Sequence, residues 1–420
     1  MDLVAGVDVG TSGVRGLAVD PKGKVVAEAS RRLPAPVTDG AKITQDPHAW
    51  WEAVAAVLAQ LAEAQPGRIA AVAVDGTSGT MLLVDRAGRP TGPVRMYNDG
   101  SGAAHAGRIR EVAPLESGAH GATSPLAWLM VHAAECKGAV HAVHQADWLL
   151  GRLCGRHGIS DDNNALKTGW DPVGRHWPEW IESLGVHRSV LPGVVEPGTV
   201  VGEATTEIGL PEGCLVVAGT TDGCAAFLAT GADKPGDGVT SLGTTLTLKL
   251  LADKPMFDAH WGVYSHRLLG MWLTGGASNT GGAALAKFFT PEAMAKLEPK
   301  LKPEQPTGLD FYPLPRPGER FPINDPIMAS REGPRPEDDA QFLQALLEGI
   351  AQVEALGYRR MTELGAPKLK SVRTVGGGAA NKAWKAIRAR ELGVPLVDPL
   401  HAEAAYGAAR LARYGLDNGG

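Results

Sequence analysis

Short apolar runs, each closed by a Gly-Ser/Thr turn, recur along this chain. The first two, residues 3–9 and 14–19, flank Gly10-Thr11-Ser12-Gly13, and Val7 and Val9 alternate with Asp8 as on a strand. The pattern predicts a hairpin, extended to a meander by a third strand at 25–29 after Asp20-Pro21-Lys22-Gly23. Asp46 as cap and Pro47 as first residue open a helix that carries Trp50, Val54, Val57 and Leu61 at helical spacing and stops at Pro66-Gly67. Residues 69–74 predict a buried strand that runs into Asp75-Gly76-Thr77-Ser78-Gly79, with 81–84 as its return.

Ser124-Pro125 opens a helix expected to reach about residue 134, and a second apolar helix is expected over 142–153. Residues 159–171, ISDDNNALKTGWD, are too poor in apolar side chains for a core, so they predict a loop over a site. A strand at 215–218 enters Gly219-Thr220-Thr221-Asp222-Gly223 and an apolar helix, 224–229. Asp233-Lys234-Pro235-Gly236 is a turn-rich break. Beyond it, 239–250 reads as strand, Gly243-Thr244-Thr245 turn, strand, which copies the first hairpin. Residues 271–273 lead into an expected turn at 274–279, and 304–337 form a long Pro/Gly-rich excursion. A long amphipathic helix over 342–361 aligns Phe342, Leu346, Ile350, Val353 and Leu356. Residues 372–375 enter Gly376-Gly377-Gly378, followed by a helix to Leu392. The last helix, 402–414, carries Ala404, Ala405, Gly407 and Ala408, small residues that let it lie close against a neighbour.

Strand-then-turn thus occurs at 10–13, 76–79, 219–223, 243–245, 275–280 and 376–378, three times in each half. Two similar α/β halves facing one cleft would bring six strand ends together, and α/β sites form at strand ends. The expected domains are 1–230, with the helix at about 403–420 packing back on it, and 231–402.

Composition narrows the function. At 420 residues the chain is long enough for two or three domains. A net charge of −5 argues against a general nucleic-acid or membrane-surface binder. No apolar run approaches the ~18 residues of a membrane span. No basic, apolar leader is evident, and Cys136, Cys154, Cys214 and Cys224 form no C-x-x-C pair. Both points fit a cytoplasmic protein with reduced thiols.

The sequence has no Walker P-loop, no G-x-G-x-x-G opening a helix, no H-E-x-x-H and no zinc-spaced His/Cys cluster. What remains is two Gly-Thr hairpins and two strategic carboxylates. Backbone N–H groups of such a turn can converge as an anion nest, with Thr11 and Ser12 adding hydroxyls. Asp8 at its edge would repel a bare phosphate, so it makes sense there with a cation such as Mg²⁺. Phosphoryl transfer needs phosphates held by backbone donors, a metal, and an aligned, deprotonated alcohol. Asp222, just before a helix, suits a general base; it also suits a helix N-cap.

The ordered set of segments resembles the FGGY carbohydrate kinases: DVGTSGVRG at 8–16, QDPHAWW at 45–51, VAVDGTSGTMLLVDRAG at 72–88, ISDDNNALKTGWD at 159–171, AGTTDGCAAFLATGA at 218–232, TSLGTT at 240–245, LTGGASNTGGA at 273–283, YPLPRPGERFP at 312–322, LLEGI at 346–350, TVGGGAANKAW at 374–384 and HAEAAYGAARLA at 401–412. The resemblance implies a two-domain actin-like ATPase (ribonuclease H-like) α/β fold with a central cleft. It further implies ATP- and Mg²⁺-dependent phosphorylation of a ketopentose at its terminal hydroxyl, by a monomer or homodimer.

Within the family the chain is most similar to D-ribulose kinases, a group also described as xylulokinase-like. D-ribulose is the first expectation and D-xylulose or another polyol the second; an actin-like ATP-dependent scaffold without a sugar acceptor is the remote alternative. By position, Asp222 matches the catalytic base, and Asp8, with Ser12, matches the first phosphate and metal motif. Thr11, Gly243, Thr244 and Thr245 belong to the phosphate motifs, and Gly376, Gly377, Asn381 and Trp384 to the adenosine pocket. Asp75 and Ser78 fall on the sugar-contacting turn, and Asp8, Ser12 and Asp222 are also expected at the substrate. The chain departs from the xylulokinase pattern in three places. Gly76-Thr77-Ser78-Gly79 replaces Gly-Gln-Met-His-Gly. Met96-Tyr97-Asn98-Asp99-Gly100-Ser101 has Tyr and Ser for the Trp and Arg of Trp-x-Asp-x-Arg. Arg390 stands where Asp is usual in the nucleotide-domain helix.

Overall fold

The computed structural model describes residues 2–132, 138–205 and 208–419. The chain forms two compact units: 1–229 with 266–270 and 401–420, and 230–265 with 271–400.

The sheet of the first unit runs in the order Val200–Glu203, Leu215–Val217, Ile69–Gly76, Leu3–Val9, Gly13–Val19, Val25–Arg32. Leu3–Val9 is parallel to Ile69–Gly76 and antiparallel to Gly13–Val19, so the expected meander is flanked by the parallel strands that carry the later turns. The central strand is buried on both faces, as its near-continuous apolar run requires. On one side lies the helix Pro47–Ala64, which buries Trp50, Val54, Val57, Leu58 and Leu61. Asp46 caps it, accepting from the His48 N–H at 2.9 Å, with Pro47 at the first turn. The helix Ala404–Asn418 packs on the same strand and on the helix Asp222–Ala229. The small residues make that approach possible: a side chain on Gly6 would overlap the Ala405 carbonyl, and one on Gly407 would overlap the Ala225 carbonyl. A second apolar cluster of this unit, built from Met81, Leu83, Leu126, Trp128, Trp170 and Ile181, lies under its irregular segments.

Two expectations for this unit are corrected, and a third reaches beyond the described residues. Residues 142–153 are not one helix. His141–His144 is a strand paired with Met81–Val84, and the helix is Gln145–Cys154. The helix Pro125–His132 is described only to residue 132; its expected extension to about 134, like Cys136, lies outside the described residues. Residues 159–171 are not a polar loop at the surface. They form the strand Ile159–Asp161 and the helix Asp162–Leu166, and Asp161, Asp162, Asn163, Asn164 and Thr168 are all buried. Most of these polar groups are paired: Asp161 accepts from the N–H groups of Asn163 and Asn164, Asn163 donates to Thr220 Oγ1, and Asp162 accepts from Trp170 Nε1.

The second unit repeats the strand logic, with Met271–Ser278, Leu246–Ala252, Asp237–Leu242, Ser371–Val375 and Leu396–Val397 as successive neighbours. The helix Asp339–Glu363 covers this sheet and buries Phe342, Leu343, Leu346, Leu347, Ile350 and Val353. Each such side chain contributes about 1.5–3 kcal/mol. Residues 274–278 are strand rather than the expected turn, and the turn begins at Asn279. Gly275 and Gly276 serve packing here: side chains would overlap the Leu248 carbonyl and the Phe321 ring.

Candidate active site

In the first unit three strand ends meet. Asp8 and Asp75 are register partners on the parallel strands, and Gly76 bridges Thr221, the residue before Asp222. Asp222 is the first residue of its helix and accepts from the Gly223 N–H at 2.7 Å, so its carboxylate sits at the helix N-terminus rather than on a preceding cap residue. Asp75 is fully buried. Burial pushes its carboxyl well above the usual range, and the Asp8 and Asp222 charges push it further. Asp8 is raised too, mainly by burial, and is held back by a hydrogen bond from Asp75. As an anion Asp75 would have no donor for either oxygen. Burial therefore favours the neutral form of Asp75 beside Asp8.

The 10–13 hairpin lies at the end of the Asp8 strand. The Thr11 carbonyl accepts from Gln45 Nε2 at 3.0 Å and the Ser12 carbonyl from the Leu33 N–H at 3.0 Å. In a trans peptide N–H and C=O point oppositely. The Ser12 and Gly13 N–H groups therefore point away from these donors, as an anion cradle requires. Neither Gly10 nor Gly13 takes a positive φ. Gly13 is small because a Cβ would meet the Arg31 carbonyl at 2.8 Å.

The second unit presents its turns at one sheet end as well, since Ser241 is opposite Val375 and Leu246 opposite Ser278. Its 243–245 hairpin has the same construction. The Gly243 and Thr244 carbonyls accept from the Gly282 and Ala283 N–H groups at 2.9 and 3.1 Å, which turns the Thr244 and Thr245 N–H groups outward. Beside it is a cavity of about 820 Å³. Its walls are Leu242, Leu285, Phe289, Met294 and Trp384, with Gly243, Thr244, Gly377 and Asn381 at its polar edge. The volume suits a nucleoside, and the apolar walls suit a flat base. Asn381 caps the helix Lys382–Leu392 by accepting from the Trp384 N–H at 2.7 Å, which fixes the start of that wall.

Among the described residues no three His, Cys, Asp or Glu side chains are arranged to hold a metal ion. A lone carboxylate such as Asp8 fits Mg²⁺ coordinated otherwise by water and phosphate oxygens.

Two family models match this chain: the FGGY family of carbohydrate kinases, N-terminal domain, over residues 3–229, and the C-terminal domain over 238–416. The chain belongs to the FGGY family of carbohydrate kinases. Among curated relatives it is 32% identical to a xylulose kinase of Streptomyces coelicolor, over 98% of this chain and 87% of the relative. Among solved structures it is similar to a xyloylose kinase from Brucella ovis, with a TM-score of 0.88 and 26% identity, covering 99% of this chain and 90% of that one. A xylulose kinase from Rhodospirillum rubrum gives 0.86 and 25%, covering 100% and 90%. The fold is thus that of sugar kinases with the actin-like ATPase architecture, and the chain is a phosphotransferase acting on a small sugar. No helix among the described residues is long and apolar enough to cross a membrane.

In this kinase Asp8, Asp75 and Asp222 are brought together at one sheet end, and Ser78 stands half-buried on the turn beyond Asp75. Gly243, Thr244, Gly377, Asn381 and Trp384 line one cavity, whereas Thr245 and Gly376 stand next to it without lining it. Tyr97 and Asn98 are exposed. Asp99 is spent on structure, accepting from the Ile43 N–H at 2.7 Å and the Ser101 N–H at 2.9 Å. Arg390 is not at the cavity. It binds Glu348, Glu391 and the Pro303 carbonyl at the far end of its helix. Sequence reading missed the groups that hold the Ser78 turn: Lys167 Nζ on the Ser78 carbonyl at 3.3 Å, Arg95 on the Gly79 carbonyl, and Gln145 on Thr77. Their sequence separations of 16 to 89 residues leave no local signal.

Proposed function

We propose that this carbohydrate kinase transfers the γ-phosphoryl group of ATP to the terminal hydroxyl of a ketopentose. The supporting observation is the convergence of Asp8, Asp75 and Asp222 at one strand edge, in a chain whose other unit carries a nucleoside-sized apolar cavity. The first unit is the sugar-binding and catalytic domain and the second the nucleotide-binding domain. Asp222 takes the proton from the sugar hydroxyl. The oxygen then attacks the γ-phosphorus, and ADP leaves. Thr11, Ser12, Thr244 and Thr245 hold phosphate oxygens. Gly243, Gly376, Gly377, Asn381 and Trp384 form the nucleoside site. Ser78, Asp8 and Ser12 face the acceptor, and the buried Asp75 stands beside Asp8 on the next strand. Asp8 would hold Mg²⁺, which would offset phosphate charge.

The names of the relatives support D-xylulose as acceptor. D-ribulose is the second reading. It is favoured by Gly76-Thr77-Ser78-Gly79 and by Tyr97 and Ser101, which depart from the xylulokinase pattern. Cys154 and Cys214 are thiols, as suits a cytoplasmic enzyme. A coupled ADP-release assay across ketopentoses and polyols tests the reading. Turnover with D-xylulose or D-ribulose supports it and ranks the two. ATP hydrolysis indifferent to every polyol would replace it with the scaffold reading.

A further inference from the structure

The turn that carries Ser78 is fastened from a helix outside it. Gln145, the first residue of Gln145–Cys154, is fully buried. Its Oε1 accepts both from the Thr77 N–H at 2.9 Å and from Thr77 Oγ1 at 3.0 Å. Its own N–H donates to the Thr80 carbonyl at 3.1 Å. A backbone N–H can only donate, so the orientation of this amide is fixed by chemistry, with the oxygen toward Thr77. The Thr77 proton is committed to Gln145, so at the 2.6 Å contact between Thr77 and Thr80 hydroxyls the Thr80 group is the donor. Thr80 Oγ1 in turn accepts from the Tyr97 N–H at 3.1 Å. One directed chain therefore runs from Tyr97 through Thr80 and Thr77 to Gln145. Gly76 is part of the same fit, because a Cβ there would lie 2.9 Å from Gln145 Oε1.

The cost of this arrangement is visible. Gln145 Nε2 is buried with no partner. An apolar side chain of the same length would avoid that unpaired donor, so packing alone does not account for a glutamine here. The oxygen does. Residues 76–80 are bounded by Asp75 on one side and present the half-buried Ser78 on the other.

We propose that Gln145 is a positioning residue of the acceptor site, which sets Ser78 for the sugar by holding Thr77. The proposal rests on the acceptor-site reading above. A small displacement of a positioning group is costly when several hydroxyls must be met at once. The effect should therefore fall on the acceptor and spare the nucleotide.

The test is steady-state kinetics with ATP and the better ketopentose, alongside thermal unfolding, for wild type, Gln145→Met, Thr77→Val and the double variant. Methionine keeps length and volume and removes the accepting oxygen. The expected result is an acceptor KM raised about tenfold in Gln145→Met and about threefold in Thr77→Val, with the double variant no worse than Gln145→Met and the ATP KM within about twofold of wild type. If Gln145→Met does not fold, Thr77→Val tests the same contact from the other side. Acceptor and ATP KM rising together, or an unchanged acceptor KM, would overturn the proposal alone. A wild-type enzyme with no ketopentose acceptor would overturn the acceptor-site reading with it.

Discussion

Asp8 and Asp75 stand opposite one another on adjacent parallel strands, and burial raises the Asp75 carboxyl well above its ordinary value. Two carboxyl groups side by side cannot both be charged cheaply. Asp75 is the more deeply buried, so the half-buried Asp8 is the one placed to serve a cation. Asp8→Ala should therefore move the Mg²⁺ concentration for half-maximal activity upward by about tenfold or more. A magnesium titration of the variant with the wild-type midpoint would remove Asp8 from the metal role.

Asp222 differs from both, since it opens a helix and is only half-buried. A carboxylate there is favoured by the helix dipole. Asp222→Asn keeps the shape and removes the base, so kcat should fall by about 10²–10⁴ while the ATP KM changes little. Turnover equal to wild type in single-turnover and steady-state assays would reduce Asp222 to a structural helix-start residue.

The two hairpins and the Asp46-Pro47 helix start were legible because their causes are local: a turn, a cap, an alternation. The strand ends bearing Asp8, Asp75 and Asp222 were legible for the same reason, and the ordered motifs pointed to the family. Residues 159–171 were misread because hydropathy counts polar groups without asking what they pair with. Asp161, Asp162 and Asn163 are buried among partners contributed by Asn164, Trp170 and Thr220. Gly275 and Gly276 were misread as turn because nothing local reveals that the Leu248 carbonyl and the Phe321 ring need their space. Gln145 gave no signal at all, since its partner is 68 residues away.

The cavity of the second unit offers a selective test, because Ala380 lines it and is exposed. A large side chain at that position enters the cavity without disturbing the core. Ala380→Trp should raise the ATP KM about tenfold with the acceptor KM unchanged, as expected for a filled nucleoside pocket. An ATP KM that stays at the wild-type value would move the nucleoside elsewhere.

Asp161 gives a prediction about stability rather than turnover. Burial and the nearby Asp147 carboxylate push its carboxyl up to about 8, from an ordinary value of 3.8. A group whose folded value is raised stabilises the fold most below its unfolded value and loses that contribution as pH rises toward the folded value. Wild type should therefore lose this contribution between about pH 4 and pH 8. Asp161 accepts from Asn164 Nδ2 at 2.5 Å, while Asn164 Oδ1 is buried without a partner. Exchanging the two ends of the Asn164 amide lets a neutral group at 161 donate to that oxygen instead. Asp161→Asn supplies such a donor at every pH and keeps an oxygen for the N–H groups of Asn163 and Asn164. Its melting temperature relative to wild type should rise steadily from pH 5 to pH 8, with the smallest difference at the acid end. A difference that is flat across that range, or that grows toward acid, would mean that Asp161 is charged in the folded protein.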